Sequence, residues 1–192
     1  MKTRLAVVGV LIASAIAAVA WRAHAKVAAR ELSMSEAERI LLAAAREGES
    51  ELVIGLVKAG TPIETRDGRG FTALILAAYH GHDQTVGALL AAGADACAGD
   101  DRGNTALMGA AFKGHTQVVA RLLDKPCAVD QANGVGQTAL MFARLFGRSE
   151  VADLLEHAGA SKEARDGEGR SSEDWAATQT APSPVVKQVG QL

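Results

Sequence analysis

Few side chains in this 192-residue sequence could do chemistry. His80 and His82 stand two apart, and His115 follows His82 at thirty-three residues. Imidazole is a common metal and haem ligand, so the pair could handle either. Cys97 and Cys127 are the only cysteines. An exported chain could join them, because disulfides persist in oxidising spaces. Gly99 to Asn104, "GDDRGN", has the acidic composition of a calcium loop but lacks the spaced oxygen ligands and closing Glu of an EF-hand. No nucleophile, base and orienting acid recur at a usable spacing, and no Gly-rich phosphate loop follows a strand. The expectation is therefore no enzyme, no catalytic residue and no cofactor.

What positions these residues is a period. Thr72 to His82 reads "TALILAAYHGH", Thr105 to His115 reads "TALMGAAFKGH" and Thr138 to Arg148 reads "TALMFARLFGR", each thirty-three residues from the last. Gly48, Gly81, Gly114 and Gly147 keep that spacing, as do Gly70, Gly103, Gly136 and Gly169, and Asp67, Asp100, Asn133 and Asp166. Within a period, Leu74, Ala77 and Ala78 recur at helical spacing and Gly81 stands where a helix stops. A second helix runs from about His82 with Val86, Leu89 and Leu90 on one face, and ends at Gly93. Turn residues such as "GDDRG" join one pair to the next. With 48% hydrophobic but only 4% aromatic residues, the core must be closely packed Ala, Leu and Val. The sequence predicts an all-α fold of stacked helical pairs with hairpin-like connectors, each pair burying the apolar face of its neighbour.

The pattern resembles the ankyrin repeat, whose signature T-P-L-H-x-A-A is followed by a Gly-His pair. Ala73, Ala106 and Ala139 stand where that family usually has Pro, and Ile75, Met108 and Met141 where it often has His. These departures leave the period, glycines and paired leucines intact. The resemblance covers Ser35 to about Thr178 as four repeats and a C-terminal half repeat. It implies a protein-binding module that meets a protein partner through its hairpin tips and the exposed ends of its first helices. Carried over by register, those positions are Arg69, Phe71, Tyr79 and His80, then Asp101, Arg102, Asn104, Phe112 and Lys113, then Val135, Gln137, Leu145 and Phe146. Exposed aromatics flanked by Arg are the types that dominate binding hot spots; the alternative is that Phe112 and Leu145 only fill gaps between first helices. The resemblance places His82 and His115 at the Gly-His position, tying a helix start to its neighbour, with His80 at a surface register.

Several positions stand apart from the pattern. Ser35 and Glu38 make a capping box for an atypical first unit. Pro126 replaces the glycine of Gly60, Gly93 and Gly159, so its turn must close differently. Arg144 occupies the register of Ala78 and Ala111, where it either interrupts packing or reaches a carboxylate. Trp175 falls at the register of Leu76 and Phe142 and is placed to close the end of the stack. Cys127 aligns with Ala94 rather than with Cys97. Helices stack about 8–10 Å apart, whereas a disulfide needs Cα atoms within about 7 Å. A bridge is open to the chain, but the spacing favours a buried thiol at Cys127 and an accessible one at Cys97.

Lys2 and Arg4, an uncharged run from Leu5 to Ala20, and Ala23-His24-Ala25 have the three-part form of a secretory signal cleaved after Ala25. The competing reading is an uncleaved inner-membrane anchor, the one route by which the chain would meet a membrane. Residues 26–34 read as a linker, 35–178 as repeats and 179–192 as a flexible tail. Cleavage would leave a mature chain near −5, which argues against nucleic acid as partner. The expectation is an exported, periplasmic or otherwise extracytoplasmic, monomeric binding module. Its length, leader and repeat count are similar to small exported bacterial ankyrin proteins linked to catalase and peroxide resistance, which implies an oxidative-stress enzyme as partner. The alternative is a haem or metal handling protein using His80 and His82.

Overall fold

Thr72, Thr105 and Thr138 hold extended backbone, and their hydroxyls accept from the N–H groups of Ile75, Met108 and Met141 at 3.3, 3.3 and 3.4 Å. Each first helix therefore starts from a capped turn, even though Ala stands where a proline could have preset it. The computed structural model describes residues 36–180; the expected leader, linker, Ser35 of the capping box and the tail beyond residue 180 lie outside the described residues. The chain divides into two compact units, Met1–Arg39 and Ile40–Leu192. Residues 36–39 of the first are helical. The repeating glycine and Thr columns lie in the second.

The elements of the Ile40–Leu192 unit are α1 (residues 40–47), α2 (Ser50–Lys58), α3 (Ala73–His80), α4 (Asp83–Ala91), α5 (Ala106–Lys113), α6 (Thr116–Leu123), α7 (Ala139–Leu145), α8 (Ser149–His157) and α9 (Ser172–Thr180). Among the described residues the only other regular pairing is two isolated antiparallel bridges, Arg66 with Thr72 and Gly99 with Thr105. The all-α repeat predicted from the period is the fold observed. First helices α3, α5, α7 and α9 pack in one row, and second helices α2, α4, α6 and α8 in another. Ala77, Ala78, Ala110, Ala111 and Ala143 are completely buried, and these small side chains let adjacent first helices approach closely. Val86, Leu89, Val119, Val151 and Leu155 supply the bulk of the core from the second row.

One glycine column does two jobs. Gly81 has φ +82°, the left-handed conformation that closes α3, and a Cβ there would stand 2.6 Å from the His115 ring. Gly48 and Gly114 present the same left-handed backbone to His82 and Arg148. The side chains that fill this space tie the repeats. His82 Nε2 bonds the Arg46 carbonyl at 2.8 Å, His115 Nε2 the Tyr79 carbonyl at 3.1 Å, and Arg148 Nε donates to the Phe112 carbonyl at 3.2 Å. A carbonyl can only accept, so Nε2 carries the proton in both imidazoles.

The connectors are built on a second column. Asp67, Asp100, Asn133 and Asp166 each use Oδ1 to accept from the backbone N–H groups two and four residues on, at 2.8–3.1 Å. Single backbone hydrogen bonds then join successive tips: Asp101 N to Arg69 O at 3.2 Å, Gly134 N to Arg102 O at 2.7 Å and Gly167 N to Val135 O at 2.8 Å.

Cys97 and Cys127 form a disulfide, with Cα atoms 5.5 Å apart. This corrects the expectation of two thiols, which took the helix separation as the relevant distance. Both cysteines lie on connectors, which approach one another more closely than the helices do. Pro126 contributes. In its siblings, the residue after the glycine donates back into the helix: Ala94 N to Leu89 O at 3.0 Å and Ala160 N to Leu155 O at 2.9 Å. Cys127 N donates instead to Lys125 O at 2.7 Å, so the turn closes differently and the chain leaves α6 on another path. Both sulfurs sit on half-buried residues.

The far end is closed by α9 packed on α7. Trp175 is half-buried, lies beneath the Arg170 guanidinium at 4.1 Å and donates Nε1–H to Asp166 Oδ2 at 3.0 Å. α9 continues to Thr180, past the boundary expected at residue 178. Arg144 reaches a carboxylate: it pairs with Glu156 of α8, whose other oxygen meets Lys162 Nζ at 2.8 Å. Those two hydrogen-bonded cations hold the Glu156 carboxyl below the usual range.

Candidate functional site

The exposed ends of the first helices gather an aromatic row. Tyr79, at the end of α3, is 37% exposed and stacks on Phe112 of α5 at 5.8 Å between centroids. Phe112 meets Phe146, 39% exposed, edge-on at 4.3 Å, and Phe142 at 6.5 Å. His80 packs edge-on against Tyr79 at 5.3 Å, and Lys113 Nζ stands 5.1 Å from the Tyr79 ring. Phe112 is half-buried, so it joins adjacent first helices and also belongs to the open row. Five sequence-predicted residues, Tyr79, His80, Phe112, Lys113 and Phe146, are thus brought together; Leu145 is half-buried at the end of α7.

A second cluster forms at the connector tips. Arg69 lies over the Phe71 ring at 4.7 Å, and with Asp101 and Arg102 it borders a polar pocket of about 320 Å³. Val135 is 61% exposed at the next tip. Asn104 and Gln137 serve the scaffold. Asn104 Nδ2 donates to the Asp100 carboxylate at 3.0 Å, its Oδ1 accepts from Asn133 Nδ2 at 2.8 Å, and Asn133 Nδ2 also reaches Gln137 Oε1 at 3.0 Å. Asp100 is therefore saturated by its own connector, which is the structural meaning of "GDDRGN".

Between the clusters lies a groove of about 180 Å³ with almost wholly apolar walls, lined mainly by Ile75, Tyr79, Met108, Gly109, Phe112 and Phe142. Sequence reasoning missed its key position. Leu76, Gly109, Phe142 and Trp175 share one register, and Gly109 is the member with no side chain. Reading that column across repeats, instead of along one of them, would have found it.

The histidines do not assemble a ligand set. His80 and His82 rings stack at 6.1 Å, but His82 Nε2 is bonded to Arg46 O, and a Cβ on Gly48 would lie 2.5 Å from its Nδ1. His80 is exposed and His82 half-buried. Burial, followed by the charges of His82, Arg46 and Lys113, lowers the His80 pKa; burial also lowers that of His115, against the opposing bond to the Tyr79 carbonyl. Among the described residues no group of three or more His, Cys, Asp or Glu could hold a metal ion, and no helix is long and apolar enough to cross a membrane.

A family model described as ankyrin repeats (three copies) matches residues 18–100 and 96–166. No curated protein matches the chain.

Proposed function

The chain belongs to the ankyrin-repeat family, and from that premise we propose that it holds a protein partner on the face formed by its first-helix ends and connector tips. Ankyrin repeats are generally non-enzymatic protein–protein interaction modules. The observation that carries the finer reading is the row Tyr79–Phe112–Phe146, partly open to solvent beside an apolar groove. Tyr and Arg are among the residue types at which truncation weakens binding most, and Tyr79 and Arg69 supply both on this face.

The partner is met outside the cytoplasm. Two features support this: the three-part leader in residues 1–25 and the Cys97–Cys127 disulfide, which persists in oxidising compartments. The similarity to small exported ankyrin proteins linked to catalase makes an oxidative-stress enzyme the first partner class to test.

The test is affinity capture from an extracytoplasmic extract with the full chain, beside a Tyr79→Ala, Phe112→Ala, Phe146→Ala variant of confirmed helicity. A protein captured by the wild type and lost from the variant is the expected result. Capture of the same proteins by both baits would remove this face from the function.

A further inference from the structure

Gly109 is not required by the backbone. It lies inside α5 at ordinary helical angles, and an added Cβ would meet Tyr79 Cβ at 3.6 Å, an ordinary contact. Glycine in that place weakens a helix relative to alanine. Its register neighbours are filled: Leu76 is buried at 4% exposure, Phe142 packs against Phe112, and Trp175 seals the end of the stack. Leaving the side chain out opens the groove of about 180 Å³. An apolar cavity of about 150 Å³ takes up benzene, so this groove admits one aromatic ring or one large aliphatic side chain.

The polar pocket adjoins it, sharing Phe71, Asp100 and Asn104 as walls. Its lining holds two cations, Arg69 and Arg102, and two carboxylates, Asp100 and Asp101, which differ in how far they are already engaged. Arg66 is already held, donating Nη1 to Gly70 O at 3.1 Å and Gly99 O at 2.6 Å. Asp100 already accepts from the backbone N–H groups of Arg102 and Asn104 and from the Asn104 amide. What remains is Arg69 and Arg102, whose guanidiniums meet no carboxylate among the described residues, against one carboxylate, Asp101, set against Gly70. The lining is neutral in sum, but both guanidiniums keep their donors while the Asp100 acceptors are filled by its own connector. The stacking of Arg69 on Phe71 holds one fork of donors in place for a planar carboxylate.

We propose that the Gly109 groove and the Arg69/Arg102 pocket together bind one extended peptide segment, with an aromatic or large aliphatic side chain in the groove and a nearby Asp or Glu between the guanidiniums. This deepens the partner-binding reading and rests on it. The groove sets affinity by burying apolar area. The pocket sets register through the guanidinium donors that a carboxylate can accept from.

A phage-displayed random-peptide library panned on the full chain tests it. Recovered peptides are expected to share a large apolar residue with an acidic residue within a few positions. Gly109→Leu, which restores the side chain of the Leu76 register, should weaken them about tenfold or more, and Gly109→Ala should act in the same direction if the larger variant misfolds. In an Arg69→Ser, Arg102→Ser variant, each peptide and its Asn or Gln isostere should bind alike. Peptides that bind Gly109→Leu as well as wild type, an absence of acidic preference, or an absence of any binder overturns the proposal. If binding survives Gly109→Leu but is lost in the Tyr79→Ala, Phe112→Ala, Phe146→Ala variant, the face binds and only the groove assignment fails. Survival in both variants removes both readings.

Discussion

Gly81 and Gly109 show how two glycines in neighbouring repeats can have opposite meanings. At Gly81 the backbone is left-handed, and the His115 ring occupies the space of a Cβ. Alanine there must adopt a conformation that costs about 1–2 kcal/mol and push the imidazole off the Tyr79 carbonyl, a hydrogen bond of about 0.5–1.5 kcal/mol. Gly81→Ala should therefore destabilise the chain by roughly 1.5–3.5 kcal/mol on those two terms. Gly109→Ala should stabilise it by about 0.5–1 kcal/mol, because it removes backbone freedom from the unfolded chain without a clash. Urea unfolding followed by circular dichroism separates the two; a Gly81→Ala variant as stable as wild type would contradict the first assignment and a destabilised Gly109→Ala the second. The first column was legible because a positive-φ glycine recurs wherever its turn recurs. The second was not, because an absent side chain is visible only against Leu76, Phe142 and Trp175 at the same register. The tie made by Arg148 was likewise hidden, since a guanidinium there does the work of the imidazoles in the earlier repeats.

At the scale of elements, the helices were readable from the period and the connectors only in part. Helix positions follow from Thr caps, buried alanines and glycine stops, each a residue type with one structural reason. The tips follow from the Asp67, Asp100, Asn133 and Asp166 column, whose side chains hold two backbone N–H groups each. The distance between adjacent connectors had no such signal, and the cysteines fall there. A cross-link at a sequence separation of 30 restricts the unfolded chain by about 3–4 kcal/mol on chain-entropy grounds. Reductant should thus lower the urea midpoint of the wild type and leave a Cys97→Ala, Cys127→Ala variant unchanged. A midpoint unmoved by reductant, with two reactive thiols in the oxidised protein, would falsify the bridge.

Across the Ile40–Leu192 unit, stability is set by interfaces between neighbouring repeats, so the end that lacks a neighbour needs a cap. That cap is α9 on α7, and Asp166 anchors it. Burial opposes ionisation of Asp166. It is outweighed by hydrogen bonds from the backbone N–H groups of Arg170 and Glu168, the Arg170 guanidinium and the Trp175 indole, which hold the pKa at about 2. An unfolded Asp titrates near 3.9. Because the folded value is depressed, the contribution is complete above about pH 4, declines as pH falls toward about 2 and is absent below that. Trp175 reports on this directly, since it is one of two tryptophans and Trp21→Phe leaves it alone in the full chain. Its emission should shift to the red as pH falls through that window. Asp166→Asn keeps the acceptor that Asn133 uses at the same register, but it loses the ionisable partner of Arg170 and Trp175. That variant should start from the loosened emission and stay flat between pH 4 and 2, the window set by the depressed Asp166 value. If both proteins instead shift together with one midpoint, acid is undoing the whole stack of repeats, and Asp166 has no separate hold on its end.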